Sequence, residues 1–177
     1  MQVRAEKVTE EAGQTDCQLV LGPSMIGVFC SGTIQVDTLA TNVVSKKVTA
    51  GGATVINVIV PLNNALVRST ASRGVKVTTV ELHYVVAVAA GTAITTKIFK
   101  AAIPADGTAF TAAEVTSTKD IADASCYDVD EHKVTVTPTT PAFIADDEIW
   151  WLEMVFTPAN TTQLDVMGAT VNFTRAL

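Results

Sequence analysis

Apolar side chains recur at every second position along VKVTTVELHYVVAVAAG, where Val80, Leu82, Tyr84, Val86 and Val88 share one face and Glu81, His83, Val85 and Ala87 the other. A period of two predicts a β-strand with the first set facing a core. Shorter runs of the same kind, CQLVLG, MIGVFC and TIQVDTL, are broken by Gly22-Pro23 and Ser31-Gly32 and predict three short strands. NVVSKKVTAGGATVINVIVPL predicts a further pair, with Gly51-Gly52 as a tight hairpin turn and Pro61 ending the second strand or marking an edge. NNALVRSTASRG reads as a connection. TAITTKIFKAAIP, following Gly91, predicts a hairpin with the long strand, and HKVTVTP, EIWWLEMVFTP and TQLDVMGATVNFT complete the series. Residues 159–162 predict a hairpin turn between the last two.

Three places depart from simple alternation. Thr111 with Glu114 three residues later fits a capping box, so a helix of a turn or two is expected near Thr111–Val115. From Val115 to Asp130 the chain is small and polar and predicts a long loop. In the final strand Leu164 and Val166 lie on one face while Ala169, Val171 and Phe173 fall on the other, and a β-bulge at Gly168 would return them to one side. Eight to ten strands with at most one short helix predict an all-β fold, an antiparallel β-sandwich of jelly-roll type. Residues 1–16, polar and without periodicity, are expected to form an extended N-terminal arm on a single sandwich domain spanning 17–177.

Composition narrows the function. Hydrophobic residues make up 48% of the 177 positions, rich in Val, Ala, Ile and Leu, yet no run approaches the ~20 apolar residues of a membrane span, so no membrane partner is expected. Twelve basic against eighteen acidic residues give a net charge of −6, and no basic cluster exceeds Lys46-Lys47, which argues against nucleic acid. The first residues lack the apolar core of a secretory signal, from which maturation in the cytoplasm is expected. Cys17, Cys30 and Cys126 show no CxxC spacing and are expected to be free thiols. On the same cytoplasmic expectation, the sequons at Asn160 and Asn172 carry no meaning.

Catalytic chemistry finds little support in the chain. His83 and His132 sit in no metal-ligand spacing, and no Walker loop, Rossmann fingerprint or nucleophile elbow occurs, so neither an enzyme nor a cofactor is expected. His83 beside Glu81 reads as a solvated or interface pair. Asp128 and Asp130, with DDE at 146–148, make a weak Ca²⁺ candidate against the alternative of solvated strand-end acids.

The most informative stretch is DDEIWWLEMVFTP. Trp150, Leu152, Met154 and Phe156 belong to one face and are expected in the core. Ile149, Trp151, Glu153 and Val155 form the opposite face, apolar but interrupted by a carboxylate, as expected of a surface covered by another subunit. A carbohydrate platform is the other functional reading of Trp151, and cover by a loop of the same chain is the local one.

The acidic Ala/Thr/Val-rich sandwich, its polar N-terminal arm and a C-terminus, GATVNFTRAL, that ends with its last strand resemble the small all-β virion structural proteins of tailed phages, such as head decoration or cement proteins and small tail components. The resemblance implies a capsid decoration or cement subunit that self-assembles, with a trimer favoured, binds a major capsid protein or other virion protein, and is assembled in the host cytoplasm. The alternatives are a β-sandwich module recognising carbohydrate or a receptor, as in a tail tip or adhesin, and a subunit of an extracellular fibre.

Overall fold

The computed structural model describes residues 14–31, 34–35, 44–48, 55–62, 74–103, 109–121, 126–145, 147–159 and 161–176. Their strands are β1 (Gln14–Leu21), β2 (Gly27–Ser31), β3 (Ile34–Gln35), β4 (Val44–Val48), β5 (Val55–Pro61), β6 (Gly74–Ala87), β7 (Gly91–Ala102), β8 (Ala113–Val115), β9 (Ser117–Ile121), β10 (Asp130–Pro138), β11 (Glu148–Pro158) and β12 (Gln163–Ala176). They form two antiparallel sheets. The larger runs β3-β4-β12-β6-β10-β9 with β1 also on β12, and the smaller runs β2-β5-β11-β7-β8.

The pairings reveal one winding rule. β4 pairs with β12, β5 with β11, β6 with β10 and β7 with β8, so the chain behaves as a long hairpin whose outgoing half, β4 to β7, is zipped to its returning half. Successive zipped pairs alternate between the two sheets. That is the jelly-roll arrangement expected from the strand pattern. β12 is long enough to pair with β6 along one side while β4 and β1 share the other, β4 opposite Gln163–Val166 and β1 opposite Ala169–Ala176.

The same winding corrects three expected hairpins. β4 and β5, β6 and β7, and β11 and β12 each lie in different sheets, so none of these pairs is a hairpin; Gly51-Gly52 itself lies outside the described residues, as does the connecting stretch 63–73. A link of three or four residues reaches either a neighbouring strand at ~4.8 Å or a facing sheet at ~10 Å, so its length does not choose between them. Val88, expected on the core face, instead leaves the end of β6 with φ 70° and stands exposed.

Two further expectations fail near the sheet edge. Ala113–Val115 is strand rather than helix, because Lys100, Phe99 and Ile98 of β7 pair with Ala113, Glu114 and Val115, and Lys97 Nζ lies 2.7 Å from Glu114 Oε2. Tertiary pairing outweighs a local capping signal here. Among the described residues the one helical feature is a 3₁₀ turn at Pro23–Met25. The expected long loop contains β9, which pairs with β10, while residues 122–125 lie outside the described residues. At the other end β1 begins at Gln14, so Gln14–Asp16 are strand; residues 1–13 of the expected arm are outside the described residues.

The core lies between the sheets. Leu82, Tyr84, Val86, Val134, Leu164, Val166 and Val171 of the larger sheet meet Ile56, Val58, Val60, Ile98, Trp150, Leu152, Met154 and Phe156 of the smaller one, all buried. Each such side chain contributes about 1.5–3 kcal/mol relative to exposure. The Tyr84 hydroxyl donates to the Cys126 carbonyl at 2.7 Å, and burial, followed by the neighbouring Cys126, pushes its pKa well up. Cys126 is buried and Cys30 half-buried.

The phase change in β12 is resolved as expected. Register shifts between Val166 and Gly168, Gly168 takes φ +156°, and Met167 is turned outward, so Leu164, Val166, Ala169, Val171 and Phe173 are all buried. A Cβ at Gly168 would sit 2.9 Å from the Leu21 carbonyl oxygen in a conformation L-residues rarely adopt. At the start of β11, Glu148 ties two strands together. It accepts from the Trp150 indole Nε1–H at 3.0 Å and from Lys100 Nζ at 2.9 Å, while that ammonium also lies 5.7 Å from the centroid of the Trp150 ring. The Trp150 hydrogen bond first, and then the one from Lys100, hold the Glu148 carboxyl below its ordinary range.

Three outcomes follow for stability. Gly168→Val should destabilise by about 1–3 kcal/mol through backbone strain and crowding of Leu21, read as a lower melting temperature; an unchanged one would contradict the bulge assignment. Thr96 is buried opposite Met154 with no partner for its hydroxyl among the described residues, so Thr96→Val should raise stability by about 1 kcal/mol in a denaturant titration, whereas a loss would mean the hydroxyl is satisfied. Because the Glu148 pKa is depressed on folding, its contribution is present above the ordinary value of 4.5 and is lost as pH falls through the lowered one. The wild type should therefore melt above Glu148→Gln at neutral pH and converge with it in acid; a gap independent of pH would contradict the ionic role.

Candidate functional site

β11 is the middle strand of the smaller sheet, held by β5 on one side and β7 on the other. Its pleat turns Trp150, Leu152, Met154 and Phe156 inward and leaves Ile149, Trp151, Glu153 and Val155 on the outer face, each half-buried. The separation into two faces agrees with the sequence pattern. Across the ladder Trp151 lies between Pro61 and Phe99, Glu153 between Ile59 and Lys97, and Val155 between Asn57 and Thr95. The outer face therefore changes from an apolar row to a charged row to a polar row over a few residues.

Trp151 is the centre of an aromatic layer built by this chain. Its ring stacks on Phe99 with centroids 5.7 Å apart and planes at 23°, and on Phe110 at 6.0 Å and 24°. These are favourable stacking distances, worth about 0.5–1.5 kcal/mol per pair beyond area burial. Phe99 arrives by strand pairing. Phe110 comes from the segment leading into β8, whose position is fixed by the ladder with β7 and by the Lys97–Glu114 ion pair. Phe110 ends the stack with 51% of its surface open. On the same face Phe29 of β2 is 61% exposed, with its ring folded over Gly27, where a Cβ would approach it to 2.7 Å.

Charge on this face is unevenly matched. Lys97, the cross-strand neighbour of Glu153, is engaged by Glu114. Glu153 has no hydrogen-bond or ion-pair partner among the described residues. A half-buried acceptor beside exposed ring surface is the chemistry of a site that takes one flat apolar surface together with hydroxyl or amine donors.

The other candidates differ in this respect. On the larger sheet a cleft of about 400 Å³ opens at the Gly168 bulge among Val20, His83, Val85, Glu131 and Met167, and another of about 600 Å³ borders Asp16, Gln18, Thr78 and Asn172. Many of their polar groups are already engaged: Gln18 donates to Asn172, Asn172 to Thr79 and Thr174 to Asp16, and His132 Nε2 lies 2.8 Å from the Asp128 carbonyl oxygen. Glu81 lies 3.9 Å from His83 and 3.5 Å from Lys133, an exposed network of little energetic weight. Asp128 and Asp130 are exposed and do not converge with Glu148; Asp130 instead accepts from the Glu131 amide, and Asp146 lies outside the described residues. Among the described residues no three His, Cys, Asp or Glu side chains are placed to share a metal ion.

Sequence reasoning missed Phe99 and Phe110. Both left a signal: Phe99 falls in phase with Lys97 and Thr95 on the solvent side of its strand, and Phe110 stands alone in a small, polar segment. Neither signal is informative singly; the ladder and the segment before β8 bring the two rings together into one contiguous aromatic patch.

No family model matches the chain, and no curated protein matches it. Solved structures similar to it include a family 11 carbohydrate-binding module from Clostridium thermocellum in complex with a beta-1,3-1,4-mixed-linked tetrasaccharide, at 7% identity and TM-score 0.41 over 87% of this chain and 94% of that one. The family 11 carbohydrate-binding module of the cellulosomal cellulase Lic26A-Cel5E of Clostridium thermocellum is similar at 9% identity and TM-score 0.42, over 88% and 94%. A third, from a structural study of promiscuous specificity in carbohydrate-binding modules of the β-sandwich superfamily, is similar at 11% identity and TM-score 0.36, over 92% of this chain and 57% of that one.

Proposed function

We propose that the protein is a non-catalytic β-sandwich binding module whose ligand is carbohydrate, with the stack of Phe99, Trp151 and Phe110 as its platform. The observation that carries this reading is the aromatic stack, open to solvent at Phe110, next to Glu153, which has no partner among the described residues. A sugar ring offers an apolar C–H face and a rim of hydroxyls, and the outer sheet face offers rings and then polar side chains in the same order. The aromatic area is that of a few rings, far below the roughly 800 Å² per partner of a stable protein interface. The rings also stand on the outside of a sheet, where a long polymer has access.

A subunit contact on the same face is the second reading. Ile59, Pro61, Ile149 and Val155 carry apolar surface beyond the stack, in support of assembly through this face. Homo-oligomerisation with a trimer favoured, attachment to a major capsid protein and a place in a virion remain proposals tied to the resemblance in composition and texture.

One variant separates the two readings. Phe110→Ala should lower the melting temperature by only a few degrees, the cost of one ring stack of about 0.5–1.5 kcal/mol, and weaken polysaccharide binding roughly 30-fold in affinity gel electrophoresis, the effect of losing a hot-spot ring of ~2 kcal/mol. Its molar mass by light scattering should equal that of the wild type. A dissociated variant would favour the subunit contact, and full retention of polysaccharide binding would overturn the platform.

A further inference from the structure

Along β11, Glu153 follows Trp151 on the same face at a spacing of ~7 Å, within reach of the hydroxyls of a sugar ring laid against the stack. It is half-buried and has no partner among the described residues. The lysine across the ladder, Lys97, is held by Glu114 at 2.7 Å, and Lys100, one strand position from Phe99, turns to the other face and binds Glu148. Among the described residues the stack is thus flanked by one engaged cation and two carboxylates, Glu114 and Glu153.

We infer that Glu153 is the specificity-determining acceptor of this face, and that the ligand is an uncharged glycan presenting adjacent hydroxyl donors beside a flat apolar ring face, with anionic polysaccharides excluded. The inference rests on the carbohydrate reading and adds its substrate class. A carboxylate accepts hydrogen bonds from two neighbouring hydroxyls at once, and bonds to a charged acceptor are about twice as strong as neutral ones. An uncharged glycan therefore engages a carboxylate that no described protein group occupies. A uronate or sulfate in the same place sets like charges together, with no unengaged cation beside the stack among the described residues, and such juxtaposition is strongly unfavourable.

The test uses the full chain in affinity gel electrophoresis and calorimetry against three neutral polysaccharides, hydroxyethyl cellulose, galactomannan and arabinoxylan, and two polyuronates, alginate and polygalacturonate. The wild type should bind at least one neutral polymer and neither polyuronate at low salt. Glu153→Ala should lose about tenfold or more in affinity for that neutral polymer. Glu153→Lys should gain retention by the polyuronates, with melting curves confirming that both variants are folded. Equal wild-type binding to neutral and anionic polymers, or unchanged neutral binding by folded Glu153→Ala, would overturn the Glu153 assignment. Loss of binding in Phe110→Ala alongside such a result would leave the platform standing. Absence of binding to every polymer in the set would overturn the carbohydrate reading and this inference together.

Discussion

A pleated strand sends adjacent side chains to opposite sides, and in β11 that constraint divides two neighbouring tryptophans between the interior and the surface. Trp150 is 3% exposed and lies in line with Leu152, Met154 and Phe156, while Trp151 faces outward with Ile149, Glu153 and Val155. A register slip of one residue would exchange the two sets, sending a carboxylate into the core and the core aromatics into solvent. Register is held on both sides by ladders with β5 and β7, and at the strand's start by Glu148, which joins the Trp150 indole to Lys100. The same contacts that secure the core therefore fix the position of the outward tryptophan.

The jelly-roll winding adds what a single strand cannot. Because the returning half of the chain is zipped to the outgoing half, β7 lies beside β11 and β8 closes against β7 at the edge. Phe99 then falls opposite Trp151, and the segment before β8 carries Phe110 back over it. The Lys97–Glu114 pair is worth little as an exposed salt bridge, but it occupies the cation that Glu153 would otherwise meet. Fold and site chemistry are connected through that one engagement.

The sandwich could be read from the sequence where burial enforces a period. Alternation in β6 and β11 identified the inner faces, and the phase change in β12 located the bulge at Gly168 because the apolar residues on either side have to share one core. Sheet membership was not legible. The short links after Ala87 and Pro158 have hairpin lengths, and only the packing of one layer on the other makes them crossovers. Thr111 and Glu114 carry a capping signal that is local, whereas the pairing with Lys100 and Phe99 that makes the segment a strand is not. The outer set Ile149, Trp151, Glu153 and Val155 followed from the pleat alone, but the stacking partners of Trp151 depend on which strand lies next to β11.

The proposed binding occurs at the outer face of the smaller sheet, on the Trp151 side of β11. Its most direct measurement is a nitrogen–proton correlation spectrum recorded during a neutral polysaccharide titration, since each tryptophan supplies one indole Nε1–H signal. The Trp151 indole and the amides of Phe99, Phe110 and Glu153 should shift in a saturable way, while the Trp150 indole, buried and bonded to Glu148, stays in place. Shifts confined to Gln18, His83, Met167 and Asn172 on the larger sheet, with the Trp151 signal unmoved, would contradict the account.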